Sequence, residues 1–169
     1  MAHSGMLPLG RAMLALGVAF CVTTPRVVHA QEGSPLAIVV NRSNPLNEVS
    51  LSDLRRIYRG QRLRWSNGRR VTLVMRDPGA PERDELLHLL YGVREEEYRR
   101  VFLQAIFTGE TGDAPKILAS PTGVLRFVFN VPGAIGYVRA SDADTNVKVL
   151  RVDGRLPGDH GYQLELGEP

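Results

Sequence analysis

The stretch Val71-Thr-Leu-Val-Met-Arg-Asp-Pro-Gly-Ala-Pro81 joins an almost continuous apolar run to a turn and a proline-led segment. An unbroken apolar run of this length is typical of a strand that is covered on both faces. Gly79 marks a turn, and Pro81 suits the first position of a helix. The stretch therefore predicts a strand, a tight turn and a helix, which together are the building unit of an α/β domain.

The same alternation is predicted for the rest of the chain. Short apolar runs predict strands at 36–41, 71–76, 134–139 and 147–152. Segments with helical spacing and capping residues predict helices at 50–60, 81–91, 94–107 and 120–130. We therefore expect a single α/β domain over 31–153, followed by a Gly- and Pro-rich tail over 154–169 that is loop or loosely attached.

Two of these helices have a well-defined apolar face. In 94–107, helical spacing directs five residues toward the core: Tyr98, Val101, Phe102, Ala105 and Ile106. In 120–130 the inward residues are expected to be Val124, Leu125, Val128 and Phe129. Trp65, in the loop before the 71–76 strand, is expected to be a packing anchor.

Residues 1–30 have the three parts of a secretory signal peptide. A basic residue, Arg11, precedes an apolar stretch over 12–22 that falls short of the roughly 20 residues a membrane span needs. Small residues then stand at the positions of a cleavage site that ends at Ala30. We expect cleavage before Gln31 and release into the periplasm, with a retained N-terminal anchor as the alternative.

Cleavage removes Cys21, the chain's one cysteine. The residue before it, Phe20, is too large for a lipid-attachment site. Residues 31–169 therefore offer no disulfide, thiol nucleophile or thiolate metal ligand. Loss of Arg11 and Arg26 from the 21 basic residues leaves 19 against 18 acidic ones. A nearly neutral exported domain is not expected to bind nucleic acid.

Groups of residues that would carry out catalysis are scarce in 31–169. His88 and His160 are its histidines, and neither has a metal-type partner at short spacing. The acids Glu95, Glu96 and Glu97 open a helix, where they complement its dipole. We expect no enzyme activity, no cofactor and no metal.

The junction between the 71–76 strand and the next helix is the best candidate for a ligand site. Backbone N–H groups at a helix start attract anions, and Arg76 at the strand end can add a guanidinium. The alternative is that Gly79 and Pro81 only form the turn, while Arg76 pairs with a nearby carboxylate. A second candidate feature is the segment from Leu54 to Arg76.

That segment holds eight arginines and no acid. It predicts either a positive surface that docks an acidic partner, or the solvated face of a helix and hairpin. For a partner surface we single out Arg55, Arg56 and Arg59.

Four segments follow one another along the chain: Leu51-Ser-Asp-Leu-Arg-Arg-Ile-Tyr-Arg-Gly60 followed by Trp65, Arg76-Asp-Pro-Gly-Ala-Pro-Glu-Arg83, Phe107-Thr-Gly109 with Pro115-Lys116, and Pro132-Gly-Ala-Ile-Gly-Tyr-Val138. Their order and spacing resemble the phosphate-binding proteins of ABC importers, which have the type II periplasmic-binding-protein fold. The resemblance spans 36–152 and implies a single lobe of that fold, with a mixed sheet flanked by helices. Members of the family bind phosphate between two lobes, so this chain looks like one lobe of such a protein.

The resemblance also implies an anion site. The family's pattern on this lobe is an arginine, a short spacer and Ser-Gly-Thr at a helix start, and here Ala80, Pro81 and Glu82 stand where Ser, Gly and Thr would be. Carried across, the ligand-binding residues are Arg76, Asp77, Gly79, Ala80, Glu82 and Arg83. The lost serine hydroxyl and the proline, which has no N–H, each remove a hydrogen bond worth about 1.5–3 kcal/mol. They predict phosphate binding near millimolar or weaker.

Two functions follow. The first is an extracytoplasmic solute-binding protein for phosphate or a similar small oxyanion, associated with an ABC permease, with a homodimer as one way to complete the cleft. The second is a periplasmic interaction or sensor module that keeps the fold, has lost phosphate binding and contacts a membrane sensor protein through its arginine-rich surface.

Overall fold

The computed structural model describes residues 34–108 and 114–165, with the backbone alone at 105–108. Its strands are β1 (Leu36–Asn41), β2 (Glu48–Val49), β3 (Thr72–Arg76), β4 (Lys116–Leu118), β5 (Ala134–Arg139), β6 (Val147–Val149) and β7 (Arg151–Val152). Its helices are α1 (Leu51–Tyr58), α2 (Pro81–Leu86), α3 (Glu95–Thr108) and α4 (Pro121–Asn130). A π-helical turn over Leu87–Tyr91 extends α2, and a 3-10 turn covers Ala140–Asp142.

Within the described residues, five strands form one mixed sheet in the order β4-β3-β5-β1-β6, and β2 pairs with β7 in a separate parallel ribbon. Strands β4, β3 and β5 are parallel, while β1 is antiparallel to both of its neighbours. The predicted α/β class, with a mixed sheet flanked by helices, is confirmed. The carboxyl ends of β3 and β5 lie at the same edge of the sheet.

All four predicted strands are present, but the run 147–152 is divided at Leu150. Leu150 is fully buried, and its N–H donates to the carbonyl of Ile38 in β1. The residues beyond it, as β7, pair instead with β2. Strands β2 and β4 were not predicted, because two or three residues are too few to show a periodic pattern.

Apolar cores lie on both faces of the sheet. On one face α1, α2 and the π-helical turn pack with Tyr98 of α3 against the sheet, and on the other face α4 does so. All six residues of β1 are buried, as its continuous apolar sequence predicts. Trp65 is buried too, and its Nε1 donates to the carbonyl of Gly133 at 2.9 Å. The predicted packing anchor is confirmed.

The helix starts follow the predicted capping chemistry. The side chain of Ser50 accepts a hydrogen bond from the amide of Asp53 at 3.0 Å, which caps α1. Ser120 caps α4 in the same way through the amide of Gly123, with Pro121 at the first helical position.

Two predicted core residues face solvent instead. Val101 in α3 is 57% exposed and Phe129 in α4 is 52% exposed. The apolar face of α3 is wider than the part of the helix that is buried. Tyr98 and Phe102 stack on the buried side, while Val101 lies beyond it in contact with solvent. Phe129 lies in the last turn of α4, after Val124, Leu125 and Val128 have filled the contact with the sheet. The expected contacts of Ala105 and Ile106 lie outside the described side chains.

The segment after Asp153 is irregular but firmly attached. Tyr162 and Leu164 are buried in the same core as α1. The N–H of Leu36 donates to the carbonyl of Leu164, and the hydroxyl of Tyr162 donates to the carbonyl of Leu36, both at 2.7 Å. The described part of the predicted tail, 154–165, is therefore part of the domain's packing and is not loosely attached.

Several predictions fall outside the described residues: the signal peptide over 1–30, cleavage before Gln31, the Gly109 end of the Phe107-Thr-Gly109 motif and the last four residues of the tail. Among the helices that the structure does describe, none combines the length and apolar character of a membrane span.

Candidate functional site

The candidate site lies where the parallel strands β3 and β5 end side by side. Arg76 is the last residue of β3, and Arg139 is the last residue of β5. In open α/β sheets, ligands bind outside the carboxyl ends of the strands. The N–H of Arg76 donates to the hydroxyl of Tyr137 at 3.0 Å, so a side chain of β5 fixes the end of β3. Two guanidinium groups therefore come together at this edge of the sheet.

The carboxylate of Glu82, in the first turn of α2, lies between these two guanidiniums. Its Oε1 accepts a hydrogen bond from Nε of Arg139 at 2.7 Å. Its Oε2 is 3.9 Å from Nε of Arg76, which is an ion pair beyond hydrogen-bond distance. The side chains of Arg76 and Glu82 are only 11% and 7% exposed, whereas that of Arg139 is 40% exposed. Arg76 thus has the nearby carboxylate that the second interpretation of this junction predicts.

Three buried polar atoms at this site have no hydrogen-bond partner among the described residues. They are Nε and Nη1 of Arg76 and Oε2 of Glu82. Buried polar atoms in folded proteins are nearly always hydrogen-bonded, so such a group is a reason to suspect function. The site therefore offers two donors on a cation and one acceptor on an anion.

Arg83, the other arginine predicted to bind the ligand, has contacts on every side. Its Nε and Nη2 donate to the two carboxylate oxygens of Glu95 at 2.6 and 3.0 Å, and its Nη1 donates to the carbonyl of Arg76 at 2.8 Å. Its guanidinium also lies over the ring of Tyr98, 5.4 Å from the centroid. Burial alone would lower the pKa of Arg83, but the hydrogen bond and charge of Glu95 outweigh it and raise that pKa. In this structure Arg83 fastens α3 to the end of β3.

The turn before α2 uses its own backbone donors. Gly79 has φ +86°, the left-handed conformation that glycine adopts most easily. The amide of Ala80 donates to the carbonyl of Asp77, and the amides of Arg83 and Asp84 both donate to the carbonyl of Ala80. Ala80 provides no side-chain cap, and α2 has only six residues. The charged side chains, rather than a cradle of backbone N–H groups, define what this site can bind.

The predicted partner-surface arginines contact the protein itself. Nε and Nη2 of Arg55 donate to the carbonyl of Leu89 at 3.3 and 3.0 Å, and Nη2 of Arg59 donates to that of Leu90 at 3.4 Å. Arg56 pairs with Asp53 at 3.4 Å. Arg55 and Arg59 therefore satisfy carbonyl groups of the π-helical turn while their side chains remain largely exposed.

Sequence reasoning missed three residues of this site. Arg139 was visible only as the end of a predicted strand, and Tyr137 only as a core residue of that strand. Glu95 was interpreted as a dipole-complementing acid, yet it forms the bidentate pair with Arg83. The signal that could have found Arg139 was its position at the end of a predicted strand. Charged residues that end neighbouring parallel strands lie at the same edge of the sheet, as Arg76 and Arg139 do. Within the described residues, no group of three or more His, Cys, Asp or Glu side chains is placed to hold a metal ion.

Comparison with known proteins identifies the fold. Neither protein-family models nor curated protein sequences match the chain, but solved structures do. Phosphate-transport and phosphate-binding proteins are among them, so the resemblance of the sequence to this class is confirmed for the fold.

Among these structures, an ABC-type phosphate transport receptor from Vibrio cholerae superposes with a TM-score of 0.65 at 21% identity, over 79% of this chain and 54% of the receptor. PstS from Borrelia burgdorferi superposes with a TM-score of 0.64 at 14% identity, over 80% of this chain and 56% of PstS. A phosphate ABC transporter substrate-binding protein from Clostridium perfringens, solved with bound phosphate, superposes with a TM-score of 0.60 at 22% identity. The match covers 73% of this chain and 46% of that protein. This chain spans about half the length of each, as expected of a single lobe.

Proposed function

We propose that the protein is an extracytoplasmic solute-binding protein for phosphate or a similar small oxyanion, with Arg76 as its main ligand residue. The observation that carries the proposal is the buried guanidinium of Arg76, whose Nε and Nη1 lack partners among the described residues. The likeness in fold to phosphate receptors supports binding rather than catalysis. The signal peptide expected over 1–30 supports a periplasmic location.

The charges at the site favour an anion. Arg76, Arg139 and Glu82 together leave one positive charge without a counter-charge inside the cluster. Because Arg76 and Glu82 are largely buried, solvent and salt screen this charge less than they would at the surface. Hydrogen phosphate can accept from Arg76 and donate its own proton to Oε2 of Glu82. Sulfate carries no proton near neutral pH, so we expect the site to prefer phosphate.

A single lobe closes only one side of a ligand cleft. The second wall would come from a homodimer or from another protein, and an ABC permease is the partner that the proposed function suggests. Until such a wall excludes water, each charge-assisted hydrogen bond at the site is weakened by solvent. We therefore propose an affinity near millimolar for the isolated protein.

The test is thermal unfolding of the secreted protein in phosphate, sulfate and chloride at matched ionic strength. A ligand at 100 times its dissociation constant stabilises the folded state by about 2.7 kcal/mol. We expect phosphate to raise the Tm more than sulfate or chloride does.

Two variants locate the effect. Arg76→Met keeps the volume of the buried side chain and should remove the selective rise, while Arg59→Met, which changes an arginine outside the site, should retain it. Equal shifts in all three salts would refute the proposal and favour the interaction or sensor module. A selective shift that persists in Arg76→Met would show that phosphate binds elsewhere.

A further inference from the structure

A second concave site lies on the α1 side of the sheet, toward the other end of β3. It is a cavity of about 350 Å³, partly open to solvent, between the end of α1, the loop that follows it, β3 and α3. Thr72 and Leu73, at the start of β3, line it. Since a strand rises about 3.3 Å per residue, Leu73 lies roughly 10 Å along β3 from Arg76. The cavity is therefore separate from the proposed oxyanion site.

The walls of this cavity are apolar. Ile57 of α1, Leu73 of β3 and Phe102 of α3 line it from three sides. Two further lining residues, Leu63 and Val101, are 46% and 57% exposed, and they are among the most exposed large apolar residues described. Exposed apolar side chains grouped around a concavity are typical of a ligand site, and small-molecule pockets have volumes of about 300–1,000 Å³. The size and shape suit a small molecule better than a protein surface.

The basic residues that line the cavity indicate that its ligand carries a negative charge. Arg59 and Arg62 both line the cavity, and none of the described lining residues is acidic. Arg62 forms no ion pair or hydrogen bond within the described parts of the chain. The sequence around it, from Leu54 to Arg76, likewise holds eight arginines and no acid. An apolar chamber beside a cation that has no counter-charge among the described residues is complementary to a molecule with an apolar body and an anionic end.

We propose that this cavity binds a small amphiphilic acid. Its apolar body packs between Ile57, Leu73 and Phe102, and its anionic group lies at Arg62, with Arg59 as a second cation. Burial of the apolar body supplies most of the affinity, at roughly 25 cal/mol per Å² of apolar surface removed from water. The arginines select the charged end. This site does not depend on phosphate binding at Arg76.

The experiment uses three probes with the intact secreted protein: decanoate below its micelle concentration, decanol and acetate. Methyl NMR reports where each probe binds. We expect decanoate to shift the methyl signals of Leu63, Leu73 and Val101, and to leave those of Val39 and Val138 on the opposite face of the sheet unchanged. Decanol, which has the tail without the charge, should bind on the order of fivefold more weakly, which is about 1 kcal/mol. Acetate should not shift these signals.

Matched charge reversals complete the test. Arg62→Glu should weaken decanoate binding by fivefold or more, and since this side chain has no described partner, the variant should fold normally. Arg126→Glu, an equal charge change at an exposed position of α4, should bind decanoate as the wild type does. No shift at the cavity, equal shifts on both faces, or equal binding of decanoate and decanol would overturn the proposal.

Discussion

Replacement of Glu82 by glutamine is the most informative change at the sheet edge. Glutamine keeps the shape of the side chain and can still accept a hydrogen bond from Arg139, but it removes the negative charge between the two guanidiniums. Because Arg139 is 40% exposed, water can solvate its charge in the variant. Arg76 is only 11% exposed, so its charge would remain buried without a counter-charge.

The cost of this change can be worked out from the geometry. A pair of unit charges about 4 Å apart interacts with about 4 kcal/mol at an effective dielectric constant of about 20. Removal of one partner from a buried pair costs about 3–5 kcal/mol. Since Glu82 Oε2 and Arg76 Nε are 3.9 Å apart and share no hydrogen bond, we expect the lower end of that range. A loss of about 3 kcal/mol lowers the Tm of a domain of this size by about 10 °C.

The same change should strengthen oxyanion binding. The carboxylate of Glu82 repels an anion bound at Arg76, and two unit charges about 4 Å apart interact with about 4 kcal/mol at an effective dielectric constant of about 20. Against this gain, glutamine loses the acceptor for the proton of hydrogen phosphate, a hydrogen bond worth about 1.5–3 kcal/mol. The net gain of about 1–2.5 kcal/mol corresponds to an affinity about 5- to 70-fold above that of the wild type. In Glu82→Gln, phosphate should therefore restore most of the lost Tm.

Calorimetry on two variants tests this reasoning. Unfolding scans give the stability of Glu82→Gln with and without phosphate, and titrations give the dissociation constants. The control is Asp84→Asn, which makes the same charge change at an exposed position of α2 and should leave both quantities near the wild-type values. If Glu82→Gln loses stability but binds phosphate no more tightly, the carboxylate does not repel an anion bound at Arg76. If it loses no stability, the pairing with Arg76 contributes nothing.

Three further predictions concern the fold. Burial raises the pKa of Tyr137 and Tyr162 above the ordinary value of about 10, so both stabilise the fold below pH 10 and this stabilisation is lost as the pH rises above it. Urea unfolding between pH 9 and 11 should show that loss, and Tyr162→Phe should reduce its mean slope over this range by about 0.7 kcal/mol per pH unit; an unchanged slope would contradict it. Leu164→Ala should cost about 2–5 kcal/mol by urea unfolding, because Leu164 is fully buried, and a cost near zero would mean that the tail is loosely attached after all. Gly133→Ala should cost about 3 kcal/mol, because its Cβ would lie 2.1 Å from the backbone carbonyl oxygen of Arg70, whereas Gly79→Ala, in open space at φ +86°, should cost about 1 kcal/mol.

Local sequence patterns predicted the elements of this fold well because each is determined by a few neighbouring residues. The apolar run of β1 and the capping serines Ser50 and Ser120 lead directly to the structure. Patterns of this kind fail where the extent of a contact is set by distant parts of the chain. Val101 and Phe129 continue the apolar spacing of their helices, but no partner covers them within the described structure.

The candidate site was less accessible to prediction for the same reason. Arg76 could be identified from its place at a strand end before a turn, and that turn has the predicted glycine conformation at Gly79. Glu82 is the carboxylate beside Arg76, and its hydrogen-bond partner Arg139 lies 57 residues away in sequence. The two residues meet only because β3 and β5 are adjacent and parallel. Strand order, unlike strand position, leaves no local trace in the sequence.

The attachment of the tail to β1 has a consequence for when the domain can fold. Strand β1 lies inside the sheet between β5 and β6, and its first residue, Leu36, forms hydrogen bonds with Leu164 and Tyr162. These contacts join residues that are 95 to 128 positions apart, so their formation carries a high loop-closure cost and we expect slow folding. The contacts of β1 are therefore complete only once the chain extends to Leu164, whereas the central pair β3–β5 needs residues only up to Arg139.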